Sequence, residues 1–381
     1  MSYWLLLCCS VVIFFVLYAV QPLLALFAEQ YEVSPATSGS LMTFTMLPLA
    51  IAPLLYGVLL NNKNLYRVLQ YVMVILAISN ALIPFSEHFW QLQSLRLIQG
   101  IALPAALTAM TASIALRYKD ADITRKMSGY IGSTIAGGFL GRALAAGFTE
   151  YISWQSFFWF NSVLLLVFAA CIPAKKNPVR QAHSPFRGNV AALANTRILT
   201  LYGAVFCMFF CFAALLNYLP FILRSTYAMT STKNIGLVYS GYLLGALATL
   251  LTPYLHKRTK GLFSFLAGMF LFYVATILLM YWQQFELFLF AFTCFCASMF
   301  IIHATAAPLV NTLSRASASL TNGVYVSFYY CGGALGSVLP GLLYQAYGEF
   351  AFLSCLVVVC IMGYAFIVVP QRLGTSIIKG S

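Results

Sequence analysis

The chain has 381 residues, 62% of them hydrophobic and 8% charged, with a mean hydropathy of +0.88. A soluble domain carries about 25% charged residues, so a water-soluble globular protein is excluded. The net charge of +13 would suit a nucleic-acid partner, but the basic residues sit in short loops between apolar runs, and none is expected.

Apolar runs of about 20 residues recur from end to end, each long enough to cross a hydrocarbon core of roughly 30 Å as a helix. Backbone groups in lipid must bond within their own segment. The alternating strands of about ten residues that mark a β-barrel are absent. The expected fold is therefore all-α: a polytopic membrane protein of twelve transmembrane helices. In chain order the runs fall at 4–28, 38–60, 67–86, 89–116, 127–149, 153–173, 198–223, 235–256, 261–282, 285–312, 323–345 and 349–369. The first run exceeds signal-peptide length and lacks a basic leader, so it reads as a span. The longest non-apolar stretch, 174–197, reads as a cytoplasmic linker between two six-helix bundles, 1–173 and 198–381, the second with a short tail.

Loop charge sets the orientation. With the N-terminus in the cytoplasm, 17 of the 21 basic residues lie inside and only Arg224 and Lys233 outside. Both termini are thus expected on the cytoplasmic side of an inner membrane. The ten cysteines lie in apolar segments without a metal or redox spacing. No cofactor or metal is expected, and the chain is expected to act as a monomer in the lipid bilayer.

The remaining two basic residues, Arg96 and Arg142, stand inside apolar runs in which no carboxylate occurs. A charge at mid-membrane costs roughly 2.5–3.5 kcal/mol on the mildest scale, so such residues usually meet a polar cavity and a charged ligand. Guanidinium forks suit carboxylate or phosphate, which points to a small anionic or polar solute. The structural alternatives are an Arg96 bonded to helix carbonyls or a neighbouring glutamine, and an Arg142 that snorkels outward or bonds across a helix interface. Gln99 shares a helix face with Arg96. His303, deep in the tenth run, is a candidate proton carrier, or a neutral core histidine. Glu29, just outside the first run, is a second proton candidate.

The halves match internally. Gly137, Gly138 and Gly141 repeat as Gly332, Gly333 and Gly336 at an offset of 195; Pro22 and Pro220 are offset by 198, Pro104 and Pro308 by 204. Two parallel six-helix repeats with a solute site near the midplane are the expected architecture.

The full chain resembles the major facilitator superfamily, in particular its YnfM-like, efflux-permease-like branch. The segments LYAVQPLLALFAEQYEVSPA, LQSLRLIQGIALPAA and GGFLGRALAAG followed by Trp154 carry the likeness. The resemblance implies that Tyr18, Gln21, Asn217, Tyr218, Tyr325 and Tyr329 lie on cavity-lining helices, and all but Tyr325 join Arg96, Gln99 and Arg142 as solute-contact candidates; the alternative for each is ordinary hydrogen bonding between helices. It also implies a cytoplasmic gate after the second span, involving Gly57, Asn61 and Arg117. The family's acidic and basic gate residues are replaced here by Asn61 and Asn62, and its span-five Gly-Pro pair by Gly137-Gly138.

The expected function is secondary active transport, by alternating access and driven by protons, of a solute such as a carboxylate-type siderophore or organic acid. A multidrug efflux antiporter for neutral or amphipathic compounds is the first alternative, and a channel the second. No phosphate-binding GxxxxGK[ST] loop occurs, and no constellation suggests an enzyme.

Overall fold

The computed structural model describes residues 1–60, 63–173, 193, 195–259 and 261–379, without the side chains of 53, 54, 57, 58, 120, 318, 319 and 370–379. Among the described residues the chain is helical almost throughout. The helices are α1 (Tyr3–Tyr18), α2 (Leu24–Gln30), α3 (Pro35–Leu59), α4 (Leu65–Leu82), α5 (Phe89–Arg117), α6 (Asp120–Tyr151) and α7 (Trp154–Cys171). After the linker come α8 (Thr196–Ser225), α9 (Thr232–Val238), α10 (Ser240–Leu247), α11 (Thr252–His256), α12 (Leu262–Met280), α13 (Phe285–Leu313), α14 (Ala318–Gly336) and α15 (Leu339–Lys379). Nine runs among the described residues are long and apolar enough to cross a membrane. Large apolar side chains such as Ile78, Phe290 and Leu250 are exposed, an arrangement that water would penalise and lipid does not.

Helices begin where short polar side chains can cap them. Ser2, Asn64, Ser153, Ser231 and Ser317 each accept a backbone N–H of the first turn, a contact worth about 1 kcal/mol. Several of the sequence runs are broken, the eleventh among them, where Ser337 and Val338 separate α14 from α15. The first stops at Tyr18, passes through a 3-10 turn at Gln21–Leu23 containing Pro22, and resumes as α2. The eighth is interrupted at Tyr239, between α9 and α10. Gly348, at φ 77°, bends α15, a conformation that glycine adopts at little cost.

The chain divides into two compact units, Met1–Ser184 with Leu219–Tyr239, and Pro185–Tyr218 with Ser240–Ser381. The segment Leu219–Tyr239, which belongs by sequence order to the second half, packs with the first unit.

Within the first unit α1 and α6 meet backbone to backbone. A Cβ on Gly137 would lie 2.7 Å from the Val11 carbonyl oxygen, and one on Gly141 would lie 2.9 Å from the Phe15 Cα. Within the second unit Gly332 and Gly336 press on the carbonyls of Phe206 and Phe210 in the same way. Both the glycines and the residues they touch are offset by 195. The repeat seen in sequence is therefore a repeat of one helix interface, of the small-residue kind that lets membrane helices approach closely. The 198 offset of Pro22 and Pro220 departs from this register. α8 runs on as helix through Pro220, whereas the first run breaks at Pro22.

Candidate solute site

Arg96 is buried in α5, and all three guanidinium nitrogens donate to the protein. Nη1 donates to the Val16 carbonyl and the Gln99 Oε1, each at 2.7 Å. Nη2 donates to the Leu17 carbonyl at 3.0 Å and Nε to the Leu41 carbonyl of α3 at 3.3 Å. The carbonyls of Val16 and Leu17 belong to the last turn of α1, where a helix has no N–H of its own to offer. Gln99 passes the network on, donating to Asn80 Oδ1 of α4 at 2.9 Å. The expectation that Arg96 and Gln99 contact solute meets a different geometry: both are engaged in joining α1, α3, α4 and α5, the structural alternative considered from sequence.

Arg142, also buried, is held differently. Nε donates to Gln21 Oε1 at 2.6 Å and Nη1 to the Gly138 carbonyl at 2.7 Å. The guanidinium carbon lies 4.3 Å from the ring centre of Tyr18 and 5.2 Å from that of Tyr239. The side chain turns back along α6 toward Gly138, away from the Tyr151 end. Tyr18 and Gln21 flank the break after α1, and Tyr239 is the break between α9 and α10. Two interrupted helices therefore converge on one cation. The chain's eight carboxylates are Glu29, Glu32, Glu87, Asp120, Asp122, Glu150, Glu286 and Glu349. Each stands at a helix end, in a turn or at the α15 bend, none in mid-span beside Arg96 or Arg142.

Arg96 and Arg142 thus approach the same turn of α1 but take different partners there, backbone carbonyls for one and side chains for the other. In the second unit the counterparts are neutral. Ser337, offset by 195 from Arg142, accepts at Oγ from Asn217 Nδ2 at 2.7 Å, and its carbonyl accepts from the Tyr218 hydroxyl at 3.3 Å. Tyr218 is fully buried against Tyr344 and Phe352. His303 Nδ1 lies 2.9 Å from the Tyr325 hydroxyl, and its ring centre lies 5.0 Å from that of Tyr329, which stacks on Phe209. The sequence-read residues of this unit therefore gather around Ser337 on one hand and Tyr325 on the other.

Glu29 is paired with Arg224 at 2.7 Å while its side chain remains 71% exposed. Arg117 reaches the Met1 carbonyl and the Tyr118 ring. Asn61 lies outside the described residues, as does any side-chain environment at Gly57. Among the described residues no group of three His, Cys, Asp or Glu is placed to hold a metal.

Sequence reasoning missed Tyr239, Asn80 and Ser337. Asn80, a lone amide in the apolar run VILAISNALI, carried a usable signal. Tyr239 is one of 23 tyrosines, and only the glycine and serine around it hint at a break. Ser337 was visible only through the repeat, as the position after Gly336.

Long apolar helices, breaks in several of them and a buried cation at two of the breaks are the parts of a membrane transport protein. The chain belongs to the major facilitator superfamily, whose family model matches residues 6–319. It is 22% identical over 338 residues to a protein described as an uncharacterized transporter from Buchnera aphidicola subsp. Schizaphis graminum, covering 87% of this chain and 82% of that one. It is 22% identical to the inner membrane transport protein YnfM of Escherichia coli, over 61% of this chain and 57% of that one. Among solved structures it is similar to a bacterial homolog of the human lysosomal transporter Spinster in an inward-facing and occupied conformation. The TM-score is 0.80 at 12% identity, over 97% and 96% of the two chains. It is a transporter and not an enzyme.

Proposed function

We propose that the protein is a proton-driven secondary transporter of a small anionic solute, of the carboxylate-type siderophore or organic-acid class, with Arg142 as the charge that holds it. The carrying observation is the cradle itself: a buried guanidinium at the meeting of two broken helices, supported by Gln21, Tyr18 and Tyr239. Broken helices are where transporters of this architecture recognise solutes, and a guanidinium fork pairs with a carboxylate in two parallel hydrogen bonds. At low local dielectric the Coulomb attraction to an anion is far stronger than in water. Arg96 and Gln99 are scaffold in this reading, and His303 with Tyr325 is the proton-carrying pair.

The chain crosses an inner membrane twelve times in two six-helix bundles, with both termini cytoplasmic. α3 and α6, with 25 and 32 residues, are long enough to span at 1.5 Å per residue, and the bend at Gly348 separates the eleventh and twelfth runs. The loop charges favour this orientation. A second reading, export of neutral amphipathic compounds, draws on the aromatic cluster of Phe209, Tyr329 and Tyr330.

The experiment is a comparison of cytoplasmic and medium metabolites with and without the protein, followed by transport of the solute found in vesicles. Arg142→Gln abolishes transport of an anion, and Arg142→Lys restores only part, because a point charge cannot fork onto a carboxylate. A cationic solute, or normal transport by Arg142→Gln, overturns the reading.

A further inference from the structure

The segment Leu219–Tyr239 is anchored to the first unit by contacts at its middle and end. Near α2, Arg224 Nη1 meets Glu29 Oε1 at 2.7 Å. At the start of α9, Glu150 Oε2 accepts the backbone N–H groups of Thr232 at 2.9 Å and Lys233 at 3.4 Å. Lys233 Nζ reaches the Tyr151 hydroxyl at 2.5 Å. One turn on, Gly236 packs against Ala146 and the Arg142 carbonyl of α6. Last comes Tyr239, its ring on the Arg142 guanidinium. The chain passes into the second unit at one end within α8, beside Pro220, whose ring removes a helix hydrogen bond, and at the other through the break between Tyr239 and Ser240. Any displacement of the second unit must carry this segment along or peel it from α6.

The contacts differ in what can operate them. The Glu29–Arg224 and Lys233–Tyr151 pairs are exposed, and water and salt weaken such pairs. The Tyr239–Arg142 contact is buried, where an attraction between a cation and a ring counts for more. It also brings the segment onto the guanidinium of the proposed anion site. The attraction depends on the net positive charge of the guanidinium. An anion forked onto Arg142 neutralises that charge, and the pull on the ring falls. Tyr18, at 4.3 Å, is the nearer ring, and it sits on α1, already tied through Arg96; Tyr239, at 5.2 Å, is the farther one and ends a seven-residue helix.

We propose that the anion and Tyr239 compete for the charge of Arg142, so that solute binding releases the segment Leu219–Tyr239 from the first unit. The inference rests on the reading of Arg142 as the anion site and adds Tyr239 as the residue that couples occupancy to movement. Linkage makes the effect reciprocal: whatever weakens the ring contact tightens anion binding.

The test is hydrogen exchange read by mass spectrometry on the full-length protein in detergent, with and without citrate, benzoate or inorganic phosphate, beside thermal stabilisation by the same three anions. Tyr239→Leu is expected to speed exchange over 232–238 by about tenfold without any anion, leaving α3 unchanged, and to bind the effective anion more tightly. Tyr239→Phe keeps the ring and behaves as wild type. In the wild type the effective anion gives the same acceleration over 232–238; in Arg142→Gln it gives none. An anion that stabilises the wild type but not Arg142→Gln, with exchange over 232–238 unmoved, overturns this inference and leaves the Arg142 site standing. Weaker anion binding by Tyr239→Leu overturns it as well. Failure of all three anions to bind overturns the Arg142 reading and the inference together.

Discussion

Replacing Arg96 with glutamine removes the side chain that closes the end of α1. Three carbonyls on other helices lose the Arg96 donor, those of Val16, Leu17 and Leu41, the last keeping the Thr45 hydroxyl at 3.0 Å. Interhelical hydrogen bonds inside membrane proteins contribute about 0.6–1.7 kcal/mol each, so the loss is about 2–5 kcal/mol. Glutamine is shorter and cannot span from α5 to both α1 and α3, while Gln99 loses the donor at its Oε1 and keeps only Asn80. Arg96→Lys keeps the charge but offers one nitrogen where three now act, and retains less than half of the stabilisation. The assay is equilibrium unfolding of the purified protein in mixed micelles with rising SDS, followed by tryptophan fluorescence. Transport should fall in step with the folded fraction and not independently of it. A shift below about 1 kcal/mol in Arg96→Gln, or a fully folded variant that does not transport, would refute the scaffold argument and return Arg96 to the solute.

Gly332→Leu should drive α14 from α8, destabilising by about 1–3 kcal/mol as overpacking does; the same change at Gly132, where a Cβ would meet nothing within 4 Å, should be silent in the same unfolding assay. His303→Gln should leave solute binding intact but uncouple it: solute-driven proton movement, followed with a pH dye in vesicles, is lost while exchange of solute for solute continues. Orientation is checked with single cysteines in a cysteine-free background. A cysteine at Thr230 should react with an impermeant maleimide in intact cells and one at Thr259 only after permeabilisation, and the reverse pattern inverts the topology.

The helical architecture was legible because lipid leaves few alternatives. Apolar length alone marks a span, and loop charge orients it. The internal repeat was legible because the packing contacts are made by glycines, which sequence shows directly. The geometry around the arginines was not. Arg96 and Arg142 look alike in sequence, each a lone cation in an apolar run. What separates them is the partner each finds, backbone carbonyls at a helix end for one and aromatic faces for the other, and both depend on where α1 breaks. Pro22 signalled a break, but the residues that fill it come from α5 and α6, 70 residues or more away along the chain. Glu29 showed the same limit. Its sequence position beside the first span suggested a proton site, and only the fold brings Arg224, 195 residues on, to its side.

The two glycine interfaces share one spacing, yet the residue that follows each pair differs: Arg142 after Gly141, Ser337 after Gly336. An ancestral unit joined to its own copy would have begun with the same side chain at both places. The contact between backbones leaves no room for a larger residue, while the next position meets polar groups of the facing helix and takes a different side chain in each unit. A duplicated frame of this kind lets one copy acquire charge while the other stays neutral. The outcome is two units that share one helix interface and differ in charge beside it, Arg142 in one and Ser337 in the other.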